Sequence, residues 1–422
     1  MKRRSNSIVD NGYYSDAKRF YSYITRAVDN RRGRLTELLS DESYGRTVVG
    51  TAGRFAARRP SWHLEKDLLK RVNRKGFGSY VRDFGPIQPD DFSQVLQKAE
   101  SLMTKKTRFT GSHRDLVAAA LRVRYACKFP NHKFIPVTPE TAAELQVNRR
   151  SSSSFPYFQR KGQVLDKLIH DCHEIIAGRL TECWNWPMIR GFRLQIRESF
   201  GQLSRKVRVM YPCPGAIILL EDCFIMPFIR HFITTDTFYV IGKTGKETGD
   251  LLLNRFGNSK RITSLDVSGF DQNLPNEAII LAFWILRSQL FLEQKMSIQY
   301  DKMVEYFCTS IMVSREPYVG TYAFIKDHGI PSGSGFTNMI GTIAHAIVLE
   351  YLAPNNLDKA LICGDDNIFD SQKINLQQLY AGYESVFGLP ISLEKTDNYK
   401  SVHKVKFLGF EFIDGIRYIS PL

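Results

Sequence analysis

The sequence predicts an α+β fold, an antiparallel sheet with helices packed on one face. Three observations carry this. From residue 261 onward the pattern runs strand, helix, loop and helix, hairpin, helix, strand, hairpin, an order close to the split βαβ arrangement. The stretch "ALICGDDNIFD" (360–370) reads as two apolar strands around a tight turn. A chain of 422 residues also exceeds one ordinary core, so two or more lobes are expected.

Residues 1–150 read as mainly helical, in segments such as "DDFSQVLQKAESLMTK" and "TGSHRDLVAAALRVRYA", the second with Thr110 or Ser112 as its cap. "RRSSSSFP" (149–156) reads as a flexible loop before Pro156. "RLQIRESFGQLSRKVRVMYP" (193–212) alternates in a strand-like way and carries Arg193, Arg197, Arg205, Lys206 and Arg208. "RITSLDVSGFD" (261–271) starts as a strand ending near Asp266, and Pro275 opens an amphipathic helix through about Leu292. "GIPSGSGFTNMIGTIAHAIVLEYLA" (329–353) is a Gly/Ser loop feeding a long apolar helix. "NLQQLYAGYESVFG" is a helix stopped by Gly388. "PISLEK" is a short strand, and "VKFLGFEFIDGIRYI" (405–419) is a hairpin around Asp414-Gly415. In such a sheet the end of the 261–266 strand and the tip of the 360–370 hairpin meet.

Composition narrows the class. At 43% hydrophobic and 24% charged the chain is globular rather than disordered. Its apolar runs, "AIILAFWILR" among them, break short of a membrane span, and "MKRRSNSIVDNGYY" has no apolar segment behind its basic residues, so it is no secretory signal. Seven cysteines are scattered singly without a C-x-x-C pair, which argues against a zinc site or disulfide framework and fits a reducing compartment. The net charge of +15 implies a polyanionic partner, nucleic acid or membrane surface. About two thirds of the excess lies in residues 1–80, in "RRGR", "RFAARRP" and "KRVNRKG", with Tyr13, Tyr14, Tyr21 and Tyr23 interspersed. That mixture suits a groove tracking a strand of nucleic acid; a solvated basic surface would have the same composition.

The chemistry centres on Asp266, Asp365 and Asp366. Gly-Asp and Asp-Asn also suit a solvated turn. Three carboxylates converging from two segments, however, repel unless a cation is near. Carboxylates with substrate phosphates are what Mg²⁺ prefers, and two ions roughly 3.5–4 Å apart can serve an in-line displacement at phosphorus. Gly364 lets the turn approach a substrate closely. Asp271 can face a sugar and accept from a ribose 2′-hydroxyl. The loop "PSGSGFT" (331–337), with Ser332, Gly333 and Thr337, offers N–H groups and hydroxyls at a helix start, a seat for phosphate or ribose. The Arg/Lys run of 193–208 suits a nucleotide triphosphate, and Lys395 can protonate departing pyrophosphate. Each also has a plainer reading: a strand end, a capping loop, a solvated face, a surface lysine.

Taken in order, "SLDVSGFDQ", "GIPSGSGFTNMIGTIAH", "ICGDDNIF" and "SLEKT…VKFLGFEF" resemble motifs A to E of viral RNA-directed RNA polymerases. "RKVRVMYPCPGAIILLED" resembles motif F and "SSSSFPYFQRKG" motif G. The "PSGSxFT" and "VRVMYP" forms are most similar to the partitivirus-like group of double-stranded RNA viruses, with picobirnaviruses as neighbours. The resemblance covers about 150–412. It implies a right hand with a ferredoxin-like antiparallel palm sheet: N-terminal region and fingers over 1–220, palm over 221–295 and 329–412, a fingers insertion over 296–328 and the start of a thumb over 413–422. Because the chain stops about ten residues after "FLGFEF", where relatives continue into a helical thumb, a vestigial or truncated thumb is expected.

The resemblance further implies template-dependent nucleotidyl transfer from NTPs to an RNA 3′ end with two Mg²⁺ ions, or Mn²⁺ in their place, for viral genome replication and transcription. Asp266, Asp365 and Asp366 would be the metal ligands, Asp271, Ser332, Gly333 and Thr337 would lie near the ribose, and Arg205, Lys206 and Arg208 would line the nucleotide channel. Arg193, Arg197, Ser154 and Pro156 would contact RNA. Partners would be RNA template and product, NTPs and a viral capsid protein, in the host cytoplasm or within the virion. One departure concerns sugar reading: many relatives carry Asn nine residues after the motif B serine, where this chain has Gly341. Two other readings compete. A reverse transcriptase or other palm-type nucleotidyltransferase would more often place an aromatic than Asp271 near the 2′-hydroxyl. A non-catalytic, polymerase-shaped RNA-binding protein would show no metal-dependent nucleotide binding.

Overall fold

The computed structural model describes residues 7–40, 109–146, 149, 151–186, 191–199, 202–210, 212–291, 297–317, 323–326 and 328–418. The expected helix in "DDFSQVLQKAESLMTK" and the basic runs of 41–80 lie outside them.

The chain opens with helix α1 (Ser7–Ser40), then α2 (His113–Ala126), α3 (Pro139–Gln146) and α4 (Leu165–Ile176). Ser112 caps α2, its hydroxyl accepting from the Asp115 N–H. α1 packs on the later helices α7 (Asn276–Arg287) and α8 (Ser297–Met312). Buried Arg31 donates to the carbonyls of Val313 (2.8 Å) and Trp184 (3.0 Å). Tyr13, Tyr14 and Tyr21 pack against the core, whereas Tyr23 is exposed. "RRSSSSFP" is no open loop: Ser153 and Ser154 are buried, and Ser152 bridges to Arg160.

A long hairpin follows, β1 (Gly191–Ser199) against β2 (Gln202–Met210). Next come α5 (Gly215–Thr234) and α6 (Gly245–Phe256). Strand β3 (Ile262–Ser264) leads to a single helical turn, Phe270–Asn273, and then to α7, nine of whose residues are buried. α7 ends at Arg287, five residues before the expected Leu292, because the chain turns there to pair with another segment. The Gln289 side-chain amide donates to the carbonyls of Pro130 and His132, and Leu290 bridges to Phe134.

After the short pair β4 (Ser314–Pro317) and β5 (Ala323–Lys326), α9 (Thr337–Leu352) runs almost wholly buried. β6 (Ala360–Cys363) and β7 (Asp366–Asp370) form the expected hairpin. α10 (Leu376–Phe387) is capped by Asn375 and ends on Gly388, φ 66°. β8 is Asp397–Tyr399. "PISLEK" is therefore not a strand: Ile391 makes one bridge to Val267, and the N–H groups of Lys395 and Thr396 then turn back onto the Ser392 carbonyl.

The order β6-β7-β3-β8, antiparallel throughout, is the split βαβ sheet expected from the sequence. Beyond it, β9 (Lys404–Phe407), β10 (Phe410–Ile413) and β11 (Ile416–Tyr418) form a meander with two tight turns where one was expected. Asp414-Gly415 makes one and Leu408-Gly409 the other, each residue at positive φ. Among the described residues no helix is long and apolar enough to cross a membrane, and all seven cysteines are free, six of them buried.

Candidate active site

The sheet brings the acids of two distant segments together. β3 pairs with β7 as Ile262 with Asp370 and Thr263 with Phe369. Past the strand end, Asp266 lies near enough to Asp366 for its charge to act on that carboxyl. Buried Asn367 extends the pairing: its amide nitrogen donates to the Leu265 carbonyl at 3.0 Å, and its oxygen accepts from the Leu265 N–H at 3.3 Å. The same nitrogen donates to the Asp365 carbonyl, 3.1 Å away. Asn367→Ala would leave the Leu265 pair unmet in the core, costing about 1–3 kcal/mol per buried group. We therefore expect this variant to melt several degrees below the wild type in a thermal unfolding scan.

Gly364, at φ +66°, begins the turn. Two side chains of α9 grip it: the Thr342 hydroxyl accepts from its N–H at 2.7 Å, and His345 Nδ1 donates to its carbonyl at 2.9 Å. His345 Nε2 meets the Tyr383 hydroxyl at 3.1 Å, and its ring lies on Phe270. Burial holds this imidazole below its usual pKa. Thr342 and His345 escaped the sequence reading, because a single polar residue in an apolar helix carries no spacing signal, and Asn367 was read only as part of the turn.

Asp365 and Asp366 lie at the exposed tip. The Asp366 carboxyl is pushed up to about 6, first by loss of hydration against the surrounding protein and then by the charges of Asp365 and Asp266. Lys395 Nζ stands 3.8 Å from Asp266 Oδ1. The backbone brings it there: the Ser392 N–H donates to the Asp266 carbonyl at 2.8 Å, and the Asp266 N–H donates to the Thr396 hydroxyl. The donor set is all oxygen and reaches water, which suits a hard divalent cation. The acids do not form a finished cage: among the described residues no three His, Cys, Asp or Glu side chains are grouped closely enough to hold a metal ion.

Asp271 lies in the Phe270–Asn273 turn, and its carbonyl accepts from the Ile330 N–H at 2.7 Å. Gly329, at φ +70°, makes this approach possible, since a Cβ there would come within 2.5 Å of the Asp271 carbonyl oxygen. The 331–337 loop is thus seated on the turn that carries Asp271. Ser332 is exposed and Gly333 half-buried, while the Thr337 hydroxyl donates to the Pro331 carbonyl. At Gly341 a Cβ would press on Ile330 Cδ1 at 3.2 Å, so an asparagine there would disturb the packing under the loop. Asn338, one turn earlier, is exposed, and its side-chain oxygen accepts from the Tyr239 hydroxyl.

The basic residues sit on the hairpin. Its register sets Arg193 opposite Arg208, Gln195 opposite Lys206, Ile196 opposite Arg205 and Arg197 opposite Ser204. Ser154 is buried, and its hydroxyl donates to the Pro212 carbonyl at 3.0 Å, tying the 151–160 segment to the end of this hairpin. Pro156 is half-buried.

Glu221, wholly buried on α5, is a further acid that the sequence reading missed. Burial pushes its carboxyl up to about 8, opposed by hydrogen bonds from Gly335 and Ser334. With the folded pKa above the ordinary 4.5, its contribution to stability is whole below that value and is lost as pH rises through about 8. Asp222, pushed up to about 6 by burial, acts in the same direction. In thermal unfolding, Glu221→Gln is therefore expected to reduce the loss of stability between pH 5 and pH 8.5.

A family model described as viral RNA-dependent RNA polymerase matches residues 140–421. The RNA-directed RNA polymerase of Cryptosporidium parvum virus 1 (strain KSU-1) is 29% identical over 249 residues, 53% of this chain and 46% of that protein. The chain therefore spans about half the length of that curated relative. The RNA-dependent RNA polymerase of a human picobirnavirus shares the fold at a TM-score of 0.59 with 16% identity, over 82% of this chain and 67% of the other. The 3Dpol RNA-dependent RNA polymerase of Sicinivirus does so at 0.61 with 17% identity, over 78% and 75%.

Proposed function

Because the chain belongs to the viral RNA-dependent RNA polymerases, we propose that its site performs template-directed nucleotidyl transfer from NTPs to an RNA 3′ end. The observation that carries this reading is the closeness of the three acids: Asn367 ties the 365–366 turn to Leu265, the residue before Asp266, and the charges of Asp365 and Asp266 both act on the Asp366 carboxyl. Asp266, Asp365 and Asp366 would hold two Mg²⁺ or Mn²⁺ ions, which when bound activate the attacking 3′-oxygen and stabilise the leaving one.

The chain's own groups supply the rest. Asp271, Ser332, Gly333 and Thr337 orient the ribose, with Asp271 accepting from the 2′-hydroxyl. Arg205, Lys206 and Arg208 draw in the triphosphate, and Arg193, Arg197 and the Ser154–Pro156 segment guide RNA. Lys395, beside Asp266, gives a proton to departing pyrophosphate. In the terms of a right hand, 221–295 and 329–412 form the palm, 1–220 and 296–328 the fingers, and 413–422 the start of a thumb. A capsid partner, and a place in the host cytoplasm or virion, rest on the resemblance to double-stranded RNA virus polymerases alone.

The test is incorporation of labelled nucleotides by the purified chain on an RNA template, with Mg²⁺ or Mn²⁺ and either ribo- or deoxyribonucleotides. Metal-dependent incorporation of ribonucleotides is expected. A clear preference for the deoxy form would overturn the assignment of Asp271 and with it the RNA-polymerase reading.

A further inference from the structure

We propose that Glu221 is a positioning residue, a buried carboxyl on α5 that seats the 331–336 loop and so sets how Ser332 and Thr337 meet an incoming ribonucleotide. The inference rests on the reading of the preceding subsection.

Glu221 stands on a helix whose Ile217, Leu219, Leu220, Phe224 and Ile225 are likewise buried. A carboxyl in such surroundings is costly unless hydrogen-bonded. Its partners all come from one loop. The Ser334 hydroxyl lies 3.0 Å from both carboxyl oxygens, and the Gly335 N–H donates to Oε2 at 2.7 Å. The Ser334 oxygen in turn accepts from the Phe336 N–H at 3.1 Å. A continuous chain of hydrogen bonds thus runs from α5 to Phe336, the residue before α9 begins at Thr337.

Packing reinforces this seat. A Cβ on Gly335 would stand 3.1 Å from Asp222 Oδ1, 3.2 Å from Ile225 Cδ1 and 3.4 Å from Glu221 Oε2, so the loop lies directly on α5. Lys161, from the turn Lys161–Gln163, adds a positive charge that draws on both acids. Two stretches distant in sequence, α5 and the Lys161 turn, therefore meet at one loop.

The loop divides by side. Ser334 is buried against Glu221, while Ser332, two residues earlier, is exposed. For stability alone, an apolar residue of similar size would serve as well as a buried charge-bearing group. What the carboxyl adds is direction, because it fixes the inner side of the loop through two donors and with it the aim of the outer side. Glutamine, which is neutral and of the same shape, keeps an acceptor for the Gly335 N–H and an amide that the Ser334 oxygen can accept from.

The experiment compares the wild-type chain with Glu221→Ala, Glu221→Gln and Ser334→Ala, the last cutting the same link from the loop side. Two readouts are taken: KM and kcat for a single ribonucleotide against its deoxy counterpart, and amide hydrogen exchange over residues 331–337. Alanine at either position is expected to raise the ribonucleotide KM about tenfold, misplacement of a positioning group being able to cost up to about 10². It should also narrow the ribo/deoxy ratio and speed exchange in the loop, with a smaller change in kcat. Glu221→Gln is expected to restore most of each. If Glu221→Ala and Ser334→Ala keep the wild-type KM, ratio and loop exchange, the proposal is overturned. Should Glu221→Ala fail to fold, Ser334→Ala and Glu221→Gln decide the question by the same criteria. Loop exchange needs no turnover, so it decides whether Glu221 seats the loop even where the wild-type chain incorporates nothing, and that outcome bears on the polymerase reading alone.

Discussion

Asp365→Ala is expected to lower nucleotide incorporation by about a thousandfold or more, the equivalent of the several kcal/mol that a bound metal ion contributes to a charged transition state. The same change should leave the fold intact. The turn is held through the backbone of Gly364, gripped by Thr342 and His345, and through Asn367. None of these bonds uses the Asp365 side chain. Removing that charge also relieves one of the causes that raise the Asp366 pKa, so the thermal midpoint should stay level or rise slightly. An activity lost while stability is kept separates a metal-binding role from a structural one. Retained incorporation, measured over a single turnover, would remove Asp365 from the site.

Lys395 gives the second large expected effect. Its ammonium lies 3.8 Å from Asp266 Oδ1 on an exposed segment bonded along the strand end that carries Asp266. If it supplies a proton to pyrophosphate, Lys395→Met should slow the chemical step by about 10²–10⁴. Lys395→Arg keeps the charge but does not release a proton at accessible pH, so it should be nearly as slow. Rapid-quench kinetics at saturating nucleotide distinguish the cases. Full rescue by arginine would mean that Lys395 acts through its charge alone.

The sequence was most legible where a short signal coincides with a structural demand. The β6-β7 hairpin, the stop of α10 and the Asp414-Gly415 turn follow from apolar runs bounded by glycine and aspartate. The meeting of Asp266 with the 365–366 turn followed from element order. Leu408 hid a turn because leucine rarely takes positive φ, and the end of α7 was set by distant partners at Pro130, His132 and Phe134. In the Ser-rich 151–154 segment, composition suggested solvent where the fold buries Ser153 and Ser154. The supports of the site, Asn367, Thr342, His345 and Glu221, were invisible for one shared reason. Each meets its partner on another element, Asn367 at Leu265, Thr342 and His345 at Gly364, and Glu221 at Ser334 and Gly335, so only the folded backbone reveals the pairing.

Acids from two distant segments, Asp266 and the Asp365–Asp366 turn, are proposed to gather divalent cations at one place. Anomalous diffraction from crystals of the full chain soaked with Mn²⁺ and a nucleotide tests it most directly. Manganese peaks are expected between the Asp266 carboxylate and the Asp365–Asp366 turn. At saturating Mn²⁺, an empty map at that position, or manganese bound only elsewhere, would contradict it.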